Sequence, residues 1–332
     1  MCELRPAAVD DDLWMPYISS RAWLDEFVLA STVARAGATS RFYRAFRSGE
    51  FVRLAEGVFL PTSTWRALDP DEQYLVRVQA VARASRPGVV FSHLSAAALW
   101  ELPSIAPWPT KPEVVVGVRA VGASRHAFTA RHYDVPAERE LIDGLEVTPL
   151  ARTLIDVGRT RPLSQAVAMM DRALATKPRG TGGVAGATVT SVELAEEHAA
   201  MSGTRGRMRC ALALSLADGR SGSPGESLSR VGIHMLGLSA PVLQQEFRDD
   251  RGFVGVVDFW WPQFGVIGEF DGHGKYLRAE LLNGRSAADA VLAEKLREDR
   301  LRALGPTVVR WGWDVARSPS GLARRLSAAG VR

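Results

Sequence analysis

The sequence predicts a multidomain protein of the α/β class, on three observations. Its 332 residues are more than one ordinary core accommodates, so two or three domains are expected. Hydrophobic residues make up 46% and charged residues 23%, the balance of a globular chain rather than a disordered one. Stretches of helical periodicity such as LARTLIDV and LSQAVAMMDRAL alternate with short β-rich runs such as FVGVVDFWW and FGVIGEFDG.

Composition narrows the function classes. No apolar run is long enough to cross a bilayer. The opening residues MCELRPAAVDDDLWMP carry three consecutive aspartates and no apolar core of a signal peptide. Cys2 and Cys210 alone neither build a disulfide framework nor match a zinc cluster. A cytoplasmic protein is the expectation. The net charge of +4 and pI near 9.3 permit a nucleic-acid partner without requiring one. Neither GxxxxGK[ST] nor a strand-linked GxGxxG is present, which argues against a nucleotide-dependent enzyme.

Two joints divide the chain. GTGGVAGATVTS, from Gly180, reads as a flexible linker, and DGRSGSPGES, ending at Ser227, as a second loop. The expected organisation is a small domain over 25–66 and a mixed α/β region over 67–176. A linker with a connecting helix follows over 177–221, and a second α/β domain over 222–332.

In the first domain, a helix carrying Phe27, Val28 and Val33 is broken by Gly37. Thr39 or Ser40 caps a second helix, which ends at Gly49. The strands FVRL and VFL follow, joined by Ala55-Glu56-Gly57. Helix, tight turn, helix, hairpin is the layout of a winged helix-turn-helix. Arg41, Arg44 and Arg47 are spaced by three along the second helix, and Arg53 lies on the hairpin. Such a face suits double-stranded DNA; a plainly solvated arginine face is the competing reading.

The run AGATSRFYRAFRSGEFVRLAEGVFL resembles the N-terminal winged helix of AbiEi-like antitoxins, autoregulators of type IV toxin–antitoxin systems. SHLSAAALWELP (92–103) and VTPLARTLIDVG (147–158) are similar to the segments that follow it. The resemblance spans about residues 25–175 and implies a DNA-binding regulator, with a toxin partner or self-association open. Read physically, these middle segments are structural: LSAAALWEL is an amphipathic helix entered from VVFSH, His93 a capping or core residue, and Arg152–Asp156 an i,i+4 pair.

VDFWWPQFGVIGEFDGHGKY (257–276) poses the chemical question, because acids are poor strand formers and repel when grouped. A hairpin turning at Pro262-Gln263 sets Asp258 opposite Ile267, with Glu269 its diagonal neighbour and Asp271 further along the same face. Val257, Phe259, Trp261, Val266 and Phe270 fall on the other face as a core. Glu226, in the first turn of GESLSRVGIHMLG, is favoured by the helix dipole and is read either as a fourth acid of the group or as a plain helix-start glutamate.

Helix with Glu, strand with Asp, next strand with Glu resembles the PD-(D/E)XK superfamily, whose cores are restriction-endonuclease-like. EFDGHGKY followed by AEKLREDRLRALGPTVVRW is similar, more closely, to nuclease domains related to very-short-patch-repair (Vsr) endonucleases. The resemblance covers about 222–332. It implies a metal-dependent DNA endonuclease in which Asp258, Glu269 and Asp271 hold one or two Mg²⁺ or Mn²⁺ ions. The implied catalytic set is Glu226, Asp258, Glu269, Asp271 and Lys275. Where the superfamily expects lysine, two positions past the acid, this chain has Asp271. His273 also lies two positions before Lys275, where relatives place a histidine. Either Lys275 or Lys295 supplies the missing cation, or the core is degenerate and the protein acts as a DNA-binding regulator. Arg297 and Arg300 are read as phosphate contacts or as solvating groups.

Overall fold

The computed structural model describes residues 21–85, 88–116, 127–132, 138–175, 188–201, 203–272 and 287–332. Among the described residues it is a mixed α/β protein with three sheets. The chain divides into two compact units, one formed by 16–161 with 180–214, the other by 162–179 with 215–332.

The first unit opens with β1 (Val28–Leu29), α1 (Ala30–Arg35), α2 (Thr39–Arg47), β2 (Phe51–Ala55) and β3 (Val58–Pro61). β3 lies between β1 and β2 and is antiparallel to both. The helix expected to carry Phe27 and Val28 is therefore shorter: Val28 and Leu29 pair with Phe59 and Val58, as a β-branched residue beside a ready strand edge favours. α2 starts at Thr39, with Ala38 as N-cap and no side-chain cap, so neither Thr39 nor Ser40 plays that role. Its inward residues Phe42 and Phe46 pack edge-to-face on Phe59 at 5.0 and 5.1 Å between ring centroids.

α3 (Thr62–Ala67) and α4 (Pro70–Ala84) follow. α4 begins in a capping box, where Asp69 accepts from the Glu72 amide and Glu72 accepts from the Asp69 amide. Next come β4 (Val90–Phe91), α5 (His93–Leu99), β5 (Glu113–Val116), β6 (Thr129–His132), β7 (Glu140–Ile142) and β8 (Leu145–Val147). The five strands form one sheet in the order β6-β5-β4-β8-β7. α5 is buried along its whole length rather than amphipathic, because its small residues Ser95, Ala96, Ala97 and Ala98 allow close approach on every side. α6 (Leu150–Thr160) supplies Asp156, whose Oδ1 lies 3.2 Å from Arg152 Nε, the expected i,i+4 pair.

α7 (Leu163–Leu174) belongs to the second unit, although the sequence groups it with the middle region. α8 (Ser191–Ala200) and α9 (Arg207–Leu216) follow. The second unit continues with α10 (Pro224–Met235), β9 (Val242–Asp249), β10 (Gly252–Trp261), β11 (Val266–Phe270), α11 (Ala287–Ala303), β12 (Thr307–Trp311), α12 (Trp313–Ala316) and α13 (Pro319–Ala328). Its sheet runs β12-β11-β10-β9, antiparallel except for the parallel pair β11–β12. One face buries Phe259, Trp261, Val266, Phe270 and Trp311 with Ile233, Leu322 and Leu326. The other buries Val254, Val257, Ile267 and Val308 with Leu301 of α11. Val257 thus belongs to the second core, and both faces of this sheet are apolar. Among the described residues, no helix is long and apolar enough to cross a membrane.

Candidate functional site

The hairpin register differs from the expected one. The loop occupies 262–265, pairing Trp261 with Val266 and Phe259 with Gly268. Continued one step, this places Asp258 directly across from Glu269 instead of Ile267. The longer loop shifts the register by two, but the ladder ends at Phe259–Gly268, so the register does not set the two acids on one face. Beyond Phe259–Gly268 the strands part. There the Asp258 carboxylate replaces the ladder, its Oδ2 accepting from the Phe270 amide at 2.7 Å.

Glu226 lies in the first turn of α10, after the N-cap Ser223 and Pro224. It is 2% exposed. Its carboxylate accepts from the Gly222 amide at 2.8 Å, the Ser223 hydroxyl at 2.9 Å and Gln244 Nε2 at 2.9 Å. The same Gln244 nitrogen lies 3.5 Å from Asp258 Oδ1. Gln244 therefore links the helix acid to the strand acid. It has a positive φ of 52°, rare for a residue with a Cβ. Nothing in the linear sequence marks Gln244; a polar residue in a short β-run beside apolar ones is the only signal.

Glu269 takes a different set of partners. Phe270, its neighbour, packs toward Gly225 of α10, so alternation turns Glu269 to the α11 side. There Arg297 Nη2 meets its Oε1 at 2.5 Å and Arg310 Nη2 its Oε2 at 2.6 Å. Both carboxylate oxygens are occupied by guanidinium groups. Arg297 also pairs with Glu294 at 3.0 Å, and Arg310 with Glu294 and, at 3.2 Å, with Glu298. Burial disfavours the Arg297 and Arg310 charges, but the surrounding carboxylates, led by Glu269, hold both guanidiniums above their ordinary range. In Glu294, burial is likewise outweighed by Arg297 and Arg310, and the carboxyl sits below its usual range.

The expected convergence of Asp258, Glu269 and Asp271 on one ion is not formed. Among the described residues, no group of three His, Cys, Asp or Glu side chains could hold a metal. Asp271 follows the end of β11, its amide donating to the Trp311 carbonyl at 2.8 Å. His273 and Lys275 lie outside the described residues. Lys295 is exposed on α11. Arg300, read as a phosphate contact, makes a two-point pair with Asp249 at 2.6 and 2.7 Å. The fit of Mg²⁺ or Mn²⁺ is therefore poor at Glu269, because a divalent ion there would face two guanidinium charges.

In the first unit, Arg41, Arg44 and Arg47 of α2 and Arg53 of β2 are all exposed. His93 is 1% exposed, has a φ of 50°, and holds Nδ1 3.0 Å from the Ser92 hydroxyl. Burial, with Arg131, Arg161 and Arg152 nearby, keeps its imidazole neutral well below the ordinary histidine range. It is a core histidine. The adjoining Glu113 is 1% exposed and neutralised by Arg131 and Arg161.

No family model matches the chain. It is similar to two proteins of Mycobacterium tuberculosis, "Uncharacterized protein MT2308" from strain CDC 1551 / Oshkosh and "Uncharacterized protein Rv2248" from strain ATCC 25618 / H37Rv. In each the identity is 28% over 197 residues, which is 59% of this chain and 66% of the relative's length.

Proposed function

We propose that the chain is a double-stranded-DNA-binding protein of regulator type, with a second unit that resembles a nuclease core but does not cut. β1 through β3, with α1 and α2 between them, act as the winged helix. The observation that carries this reading is the exposed arginine set of α2, Arg41, Arg44 and Arg47, with Arg53 on the neighbouring hairpin. Phe42 and Phe46 anchor that helix inward, so the arginines meet a partner without disturbing the core. Phosphates attract them at any sequence, and groove contacts add selection. A toxin partner and self-association remain compatible with an antitoxin-like regulator.

The second reading is a Mg²⁺- or Mn²⁺-dependent DNA endonuclease. It is favoured by the Gln244 link that brings Glu226 toward Asp258. In that reading these two acids, with Asp271, would hold the ion, which would supply an acidified water and neutralise phosphate charge. The state of Glu269 places it second.

One experiment separates the two. Labelled duplex and supercoiled plasmid are incubated with the protein in Mg²⁺ and in Mn²⁺, beside Asp258→Asn. Duplex retention without nicking is the expected result. Nicking in either metal that disappears in Asp258→Asn would overturn the regulator reading in favour of the endonuclease.

A further inference from the structure

Glu269, Glu294 and Glu298 are three carboxylates gathered around two guanidinium groups. Only 8% of the Glu269 side chain is exposed, against about a quarter of each arginine and of Glu294 and Glu298. A buried carboxylate needs a counter-charge. Elsewhere such a cluster of acids is satisfied by a hard cation with oxygen ligands. Here Arg310 reaches all three acids from β12, and Arg297 reaches Glu269 and Glu294 from α11. The parallel register sets Arg310 beside Glu269, so this arginine is delivered by the sheet itself. Arg297 packs its aliphatic stem near Gly255, where an added Cβ would come within 3.2 Å of its Cδ.

We infer that Arg297 and Arg310 are built-in counter-ions occupying the place of a divalent cation, so that Glu269 binds no metal while they are present. The inference concerns these side chains and holds whether or not the protein cuts DNA. Its corollary is a latent metal site. As they stand, Glu269, Glu294 and Glu298 form no metal-holding group. With both guanidiniums removed the three carboxylates lose their counter-charge, and closing on a divalent cation becomes the cheapest remaining way to neutralise them.

The test is a calorimetric Mn²⁺ titration of the full-length chain, with folding checked by circular dichroism. Wild type and Glu269→Gln should give superimposable isotherms, with affinities equal within about twofold or with no binding in either. The double variant Arg297→Gln/Arg310→Gln should gain a site at least tenfold tighter than any in the wild type. Adding Glu269→Gln to that double variant should abolish the gain. A tenfold loss of Mn²⁺ affinity in Glu269→Gln alone would overturn the inference. A folded double variant that gains no site would overturn it too. If the double variant fails to fold, the wild-type and Glu269→Gln comparison decides by itself. Loss of DNA binding or appearance of nicking bears on the proposed function and leaves this readout unchanged.

Discussion

At the scale of single residues, close contacts and local charge decide what each acid can do. Gly225 shows it most directly. A Cβ there would lie 2.0 Å from Cε1 of Phe270, so only glycine lets the start of α10 settle on β11. Gly225→Ala should lower the unfolding free energy by about 1–3 kcal/mol, the usual cost of overpacking, read by urea denaturation. Asp249 gives a second prediction. The two-point bond from Arg300 pulls its carboxyl down to about 2 from the ordinary 3.8. A depressed folded value means the unfolded chain binds more protons. The contribution of Asp249 is therefore present above pH 3.8 and lost as pH falls through about 2. Urea midpoints of wild type and Asp249→Asn, measured from pH 5 downward, should converge toward the acid end.

Among elements, α2 carries the functional expectation. Its three arginines are exposed, so replacing all of them with alanine should leave the thermal midpoint nearly unchanged. Duplex affinity should fall, and the slope of log affinity against log salt should flatten by about 0.9 per lost phosphate contact. An unchanged slope would assign the helix to plain solvation. Much of this element was legible beforehand, because Gly37 and Gly49 with their positive φ values punctuate the chain as glycine in a sequence suggests. The assignment of Val28 to a helix failed because pairing with β3, a non-local partner, outweighed local periodicity. The hairpin was legible as a hairpin, but not the placing of its acids, since Asp258 meets Gln244 beside Glu226 of α10 while Glu269 meets Arg297 of α11. Its loop length was not legible either, since Pro262 marks where a strand stops and leaves open where the next begins. The arginine pairing of Glu269 was the least legible feature. Arg297 and Arg310 lie far along the chain, and only the parallel β11–β12 register brings Arg310 alongside.

On the scale of the molecule, the boundary of the second unit falls before α7. Asp171 on that helix is completely buried and accepts from Arg230, from Ser227 Oγ at 2.6 Å and from the Asp218 amide at 2.7 Å. Truncation at the linker-based boundary would strip this carboxylate from Arg230. Removing one partner of a buried pair typically costs about 3–5 kcal/mol. A fragment over 162–332 should therefore unfold at a clearly higher urea concentration than one over 215–332. Equal midpoints for the two fragments would return α7 to the middle region.

The place of α7 also bears on how the chain is made. Its packing partner α10 begins about fifty residues after α7 ends. At 5–20 residues per second, the ribosome delivers that partner roughly 3–10 s later. During this interval Met169, Met170 and Asp171, all inaccessible in the finished fold, lack the α10 surface. α7 is therefore made well before the helix it packs on. Codon changes that slow translation between 175 and 224 should lower the soluble yield without altering the purified protein.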